Sequence, residues 1–360
     1  MLTAKSRLPI KEITFVGLLP SPLKKLIYRM RGYKIGRNVS LGLGSVVTGD
    51  QVEIGDGTSI GLLTIVRGRS VKIGRHVQIG TMSFLDVPII EIGEGSRINE
   101  QVYIGGLQFP DSKFIMGRNC QIMQLSFINP TRSITIGDDS GIGGHCLLFG
   151  HNSWLSKFEG YAVEYDSIEI GRSVSVAWRV FILPGAKIGD GAVIGANSLV
   201  RGTIPEKCLA VGFPARVVSK APEMPRPVSE AERVRYLAEI TLEMIGYLRG
   251  FGFQCREQDG LWVVTHRTNG WLGSRTRDWT VRILSSQDET LARELAGARA
   301  DVVVSLNPIP PADRQRLHAA RSAWIDIKNK ERSDDDNVMG EEVAMYLRRY
   351  GVRLLRQQSA

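Results

Sequence analysis

The sequence predicts a mainly β solenoid, a three-sided prism of stacked coils, followed by a small α/β domain. Two observations predict the prism. Ile-Gly pairs recur at Ile35-Gly36, Ile54-Gly55, Ile73-Gly74 and Ile92-Gly93, nineteen residues apart each time. They return at Ile136-Gly137, Ile170-Gly171, Ile188-Gly189 and Ile194-Gly195. From Ile170 to Pro205 the chain also divides without a gap into sixes led by an aliphatic residue: IGRSVS, VAWRVF, ILPGAK, IGDGAV, IGANSL, VRGTIP. A six-residue beat fits neither a 3.6-residue helix nor an alternating strand, and a fixed period marks a solenoid. The 39 glycines agree, being too many for an ordinary helical protein and too irregular for collagen.

Residues 1–34 form a basic N-terminal segment. Eight Lys or Arg stand there against Glu12 alone, so +7 of the chain's net +9 is local. A nucleic-acid partner would need basic residues over a larger surface and is not expected. SPLKKLIYRMR, residues 21–31, reads as a short helix with Ser21 as cap, Pro22 at its first position and Leu23, Leu26, Ile27 and Met30 as an apolar stripe. That stripe is expected to cover the open apolar end of the prism. A basic amphipathic helix can also lie on an anionic membrane, so residues 21–34 are a candidate for peripheral contact at the inner face of the cell membrane.

Residues 35–218 are the prism. Three hexads make one coil of about eighteen residues, with the leading Ile, Val or Leu pointing inward and small residues at the corners. The nineteen-residue period places one extra residue at a corner. Two stretches interrupt the beat, residues 106–115 (GLQFPDSKFI) and residues 151–169. Loops thrown out from a rigid coil are where solenoids carry function. The second begins in CLLFGHNSW, residues 146–154, where the apolar beat stops at His151.

At LLFGHNSW, and at VFILPGAKIGDGAVIGANSLVRGTIPEKCLAVGFPARVV with Gly212, Pro214 and Ala215 as a GxPA element, the sequence resembles the hexapeptide-repeat acyltransferases of the sugar or polysaccharide O-acetyltransferase type. The resemblance implies a left-handed parallel β-helix. It also implies acetyl-CoA as donor, a sugar or glycan hydroxyl (less often an amine) as acceptor in surface polysaccharide biosynthesis, and no metal. It implies a homotrimer with active sites in clefts between prisms, and His151 as the catalytic histidine.

The chemistry suits a lone imidazole, because a hydroxyl attacks a thioester only when a base takes its proton, and neutral His is that base near pH 7. Candidates to orient it are His145, Glu159, Glu164 and Asp166, with Asp138 and Asp139 just upstream, and a backbone carbonyl would serve equally well. Asn152, Trp154 and Trp178 are candidates for holding the acceptor. Ala177, Gly195 and Ala196 leave room for a pantetheine arm, and Arg201, Lys207 and Arg216 could meet the phosphates of coenzyme A. Each also has a plainer reading, as a loop histidine, as aromatic packing or as solvated charge.

Residues 219–228 read as a linker, containing APEMPRP, and residues 229–360 as an accessory α/β domain of unknown role. Ser229-Glu230-Ala231-Glu232 makes a capping box opening a helix to about Leu248. A hairpin at Gln258-Asp259-Gly260, strands near 279–284, 302–306 and 323–327, a helix near 311–320 and a final helix and strand follow. Asp278 and Asp326-Ile327-Lys328 faintly echo a nuclease metal site. The four cysteines, Cys120, Cys146, Cys208 and Cys255, form no CxxC pair and fit a reducing compartment. With no signal-peptide pattern and no apolar run of about 18 residues, a cytoplasmic protein is expected. The rival functions are a non-catalytic scaffold displaying the C-terminal domain and a γ-type carbonic anhydrase, which needs three histidines converging on a metal.

Overall fold

The spacing of the leading aliphatics becomes the register of the strands. The computed structural model describes residues 9–270 and 273–357; Lys5 and Arg7 of the basic segment lie outside the described residues, as do residues 358–360. The chain divides into two compact units, Met1–Arg226 and Pro227–Ala360.

The first unit is a left-handed parallel β-helix. Its first face holds nine parallel strands, from Lys34–Ile35 to Thr203–Ile204. The second runs from Ser40–Leu41 to Cys208–Gly212 and is closed by the antiparallel strand Ala215–Lys220. The third holds eight, from Val46–Thr48 to Leu199–Val200. Ile35 pairs with Ile54 and Ile54 with Ile73 on the first face, Leu41 with Ile60 on the second, and Val47 with Val66 on the third. These stacked side chains form one buried core along the prism, each contributing roughly 1.5–3 kcal/mol when fully buried. From Ile35 through Leu41 and Val47 to Ile54 the spacing is six, six and seven. The extra residue therefore falls between the third and first faces.

The edges differ in backbone. At the first edge, between the first and second faces, Asn38, Gly57, His76, Gly95, Asn119, Asp139, Ser173, Gly191 and Lys207 all have positive φ. The second edge repeats this at eight positions from Gly44 to Asn197, His145 among them. Coils approach so closely there that a Cβ on Gly36 would lie 2.6 Å from the Asp56 nitrogen. Buried hydroxyls satisfy corner carbonyls one coil on, as Thr58 does for Gly74 at 2.8 Å and Ser140 for Gly171 at 2.8 Å. The third edge lacks such a column, and both interruptions leave from it. The first is shorter than its sequence suggests, because Lys113–Met116 is already a strand of the first face.

The cap helix, Ser21–Met30, forms with its polarity reversed from expectation. Lys24 and Tyr28 are fully buried against the prism, while Leu23, Leu26 and Met30 are exposed. The reason is what the first coil presents: backbone groups with no preceding strand to pair with. The Leu41 N–H donates to Ser21 Oγ at 3.0 Å and the Val47 N–H to Tyr28 Oη at 2.9 Å. Lys24 Nζ donates to the Ser45 carbonyl at 2.9 Å and to that of Gly42. Ser21 thus serves the prism, and makes no cap bond to its own helix. An unpaired buried peptide group costs more than an apolar contact returns.

In the second unit the capping box of Ser229 and Glu232 opens a helix over Glu230–Gly250. A seven-stranded mixed sheet follows, beginning with the hairpin in which Gln258 pairs with Leu261. Helix Asp288–Gly297 was not expected from the sequence. The nuclease echo fails on register. Leu284 pairs with Ser305 and Ser305 with Asp326, so Asp326 stands level with Leu284, about 20 Å along the strand from Asp278. Asp326 is fully buried and accepts from the Ile309 N–H, Arg314 Nη2 and both nitrogens of Asn329.

Candidate active site

At the third edge positive φ is confined to single glycines such as Gly185 and Gly202 and forms no column through every coil, and two coils, separated by one, spill outward there. The strand Leu147–Phe149 ends at buried Gly150, whose N–H donates to the Asn129 carbonyl at 2.9 Å. The chain then leaves the prism as a two-residue antiparallel ladder, pairing His151 with Tyr165 and Asn152 with Glu164. A 3-10 turn at Lys157–Glu159 forms the far part of the loop. The earlier insertion meets it. The Phe109 ring is T-shaped against Tyr165 at 5.5 Å, and Arg132 stacks over Phe109 at 4.0 Å.

His151 sits half-buried in that junction. Its ring is 5.8 Å from Phe149, one of a row of rings running Phe84, Tyr103, Phe127, Phe149 and Phe181 up the third face, and lies parallel to Tyr165 at 6.5 Å. Nδ1 is 3.0 Å from the hydroxyl of Thr131, which is fully buried. That hydroxyl donates to Asn129 Oδ1 at 3.2 Å. A hydroxyl has one proton to give. With it placed on Asn129, Thr131 accepts from Nδ1–H, and the lone pair of His151 is left on Nε2. Burial holds the His151 pKa below the ordinary imidazole value, which keeps the ring neutral at lower pH.

The group that meets Nδ1 is thus a residue the sequence did not single out. Glu159 and Glu164 are exposed on the loop. Asp166 accepts from the neighbouring Ser167 N–H at 2.7 Å, with its other oxygen toward Gly185. His145 is exposed on the second edge, φ 56°, with its ring 6.0 Å from Trp178. Trp178 covers Gly144, where a Cβ would meet its ring at 2.5 Å. Asn152 and Trp154 are exposed at the loop mouth, Trp154 almost wholly. The signal that could have found Thr131 is the period itself, since a residue twenty positions upstream lies one coil away.

Ala177, Gly195 and Ala196 share the second edge and form a strip without large side chains. A Cβ on Gly143 would lie 2.6 Å from the Ala177 backbone, and one on Gly195 2.6 Å from Val211 Cγ1. Arg216 pairs in register with that Val211. The other two basic candidates are not brought to the strip: Lys207 is on the first edge and Arg201 on the third. His76, His145 and His151 stand on three different edges. Among the described residues no group of three His, Cys, Asp or Glu could hold a metal ion, and no helix is long and apolar enough to cross a membrane.

No protein-family model matches the chain. Among curated proteins it is 34% identical over 113 residues to WbbJ of Escherichia coli, named for O-acetyl transfer in lipopolysaccharide biosynthesis, covering 28% of this chain and 58% of that one. It is 30% identical over 145 residues to the galactoside O-acetyltransferase of Escherichia coli, covering 37% and 66%. The chain thus spans about half to two thirds of the length of these relatives. Of solved structures, the polySia-specific acetyltransferase NeuO is 21% identical with a TM-score of 0.30, covering 52% of this chain and 81% of its own. The hexapeptide-repeat acetyltransferase VCA0836 of Vibrio cholerae, complexed with acetyl coenzyme A, is 18% identical with a TM-score of 0.25, covering 58% and 81%. The β-helix of this chain resembles, in sequence, the hexapeptide-repeat O-acetyltransferases.

Proposed function

We propose that the protein transfers acetyl from acetyl-CoA to a hydroxyl of a sugar or glycan, with His151 as general base. The observation that carries this is the Asn129–Thr131–His151 chain of hydrogen bonds, which leaves Nε2 basic at the mouth of the loop. The names of the relatives support the reaction class, and WbbJ supports a place in surface polysaccharide biosynthesis. In the reaction, His151 Nε2 takes the proton of the acceptor hydroxyl as its oxygen bonds to the thioester carbonyl carbon. The C–S bond then breaks, and the imidazolium returns the proton to the departing sulfur. Thr131 keeps Nδ1–H engaged throughout and so favours the charged ring that forms. Exposed Trp154 and Asn152 at the loop mouth serve the acceptor.

The strip of Ala177, Gly195 and Ala196 serves the pantetheine arm, with Arg216 beside it for phosphate. This strip and His151 lie on different edges of one prism, so the reading takes a homotrimer in which the second edge of one prism faces the third edge of the next. Exposed Leu43, Leu63, Met82 and Leu125 along the second edge support such packing. The four free cysteines support a reducing, cytoplasmic setting.

The test is His151→Ala with acetyl-CoA and a panel of sugar acceptors. It should lower kcat by roughly 10²–10⁴ with acetyl-CoA binding and Tm unchanged. Wild-type turnover in the variant would overturn the assignment.

A further inference from the structure

From the reversed polarity of the cap we infer that the N-terminal end of the prism is a docking surface for an anionic lipid bilayer. Hydrogen bonding to the first coil uses the polar side of helix Ser21–Met30 and turns Leu23, Leu26 and Met30 outward, while Ile27 packs on the core. Met30 is 79% exposed, with Leu23 and Leu26 beside it. The Glu12–Arg31 ion pair, 2.8 Å, ties the preceding Ile10–Gly17 segment to the end of that helix. That segment buries Val16 and leaves Phe15 74% exposed, with Ile10 and Leu18 also exposed. Six large apolar side chains thus stand in water within residues 10–30. An exposed apolar group of that size marks an interaction site.

Charge decides the occupant. Lys25 and Arg29 lie on the same helix, Arg29 with its Nη2 donating to the Ile35 and Gly36 carbonyls, and Lys11 lies on the preceding segment. Lys34 and Arg37 follow at its end, paired to Glu53 and Asp56. Apolar side chains framed by cations are the composition of a segment lying in a headgroup layer, its side chains reaching the acyl boundary and its cations among anionic headgroups. A nucleic acid would use the cations and leave Phe15, Leu26 and Met30 in water. A protein partner would need acidic residues around an apolar socket. This inference stands apart from acetyl transfer, and neither depends on the other.

The test is co-flotation of the full chain with phosphatidylcholine vesicles, with and without phosphatidylglycerol, at low and high salt. Binding should require the anionic lipid and weaken with salt. Lys25→Glu with Arg29→Glu should lower the partition coefficient at least about tenfold. Leu26→Ser with Met30→Ser should do the same with little change in Tm, because those side chains are largely exposed already. Absence of binding, equal binding to neutral vesicles, or undiminished binding by the Leu26→Ser/Met30→Ser variant would overturn the proposal. So would a lower oligomer mass for that variant, which would assign the face to a second copy of this chain.

Discussion

The first and third edges are built from the same repeat and behave oppositely. Nine successive turns at the first edge hold a residue in the left-handed region, and none is interrupted. Each such turn is clamped between the coils before and after it, so an added residue would break three turns at once. The third edge takes seven residues in the first coils, six at Ile182–Ile188 and four at Val200–Ile204, and both insertions leave from it. Regularity and variation are therefore divided by edge: one is spine, the other carries the loop that opens at His151. Single substitutions can break or sharpen that division.

The largest effect is expected on the functional edge. Thr131→Val removes the partner of Nδ1 while keeping shape, and kcat should fall about ten- to a hundredfold, as for a hydrogen bond to a group that becomes charged. Thr131→Ser should recover most of it. Steady-state kinetics on both variants checks this, and a loss confined to KM would contradict a positioning role. A smaller effect belongs to the spine. In Gly137→Ala the new Cβ would lie 2.7 Å from the Gly171 carbonyl carbon, so thermal unfolding should show a loss of about 1–3 kcal/mol with turnover of the folded protein unchanged.

His145→Ala should change stability by no more than about 0.5 kcal/mol and leave turnover near wild type. That residue lies six positions from His151, on an exposed corner of another edge.

The smallest effect is in the pH profile. His151 titrates below the usual imidazole value because burial disfavours its charged form. Wild-type kcat should rise with pH through a limb below about 6.5 and be flat above it. The sign carries over to folding: a group whose native pKa is depressed contributes stability above its unfolded pKa that is lost as pH falls. A limb above 6.5 would mean that another group limits the rate.

The prism was legible because each Ile or Leu of the beat has one role, and the six-residue count survives substitution of everything between. His151 was legible as the point where the beat stops. Thr131 was not, since its partner is contributed by the next coil, and nothing in TRSITIG marks a hydroxyl that looks sideways. The cap misled for a different reason. Hydropathy sends Leu26 and Met30 inward, but the end of a β-helix is a row of peptide groups as much as an apolar core, and Lys24 and Tyr28 answer the peptide groups. In the second unit, the capping box and the hairpin turn were readable from four-residue patterns. The pairing of Ser305 with Asp326 depends on long-range register and was not.

The hydrogen bonds from Leu41 and Val47 to the cap have a consequence for solution behaviour. Parallel coils that stack without limit are the geometry of a growing fibre, and every coil is a template for the next. Ser21, Lys24 and Tyr28 act as chain terminators at one end, and the antiparallel return of Ala215–Lys220 blocks the second face at the other. Without its first thirty residues the prism would present a bare template, and end-to-end polymers visible by electron microscopy are the expected product. The N-terminal segment is in this sense a stopper: by occupying the first coil's free peptide groups it keeps one prism from becoming the template for another.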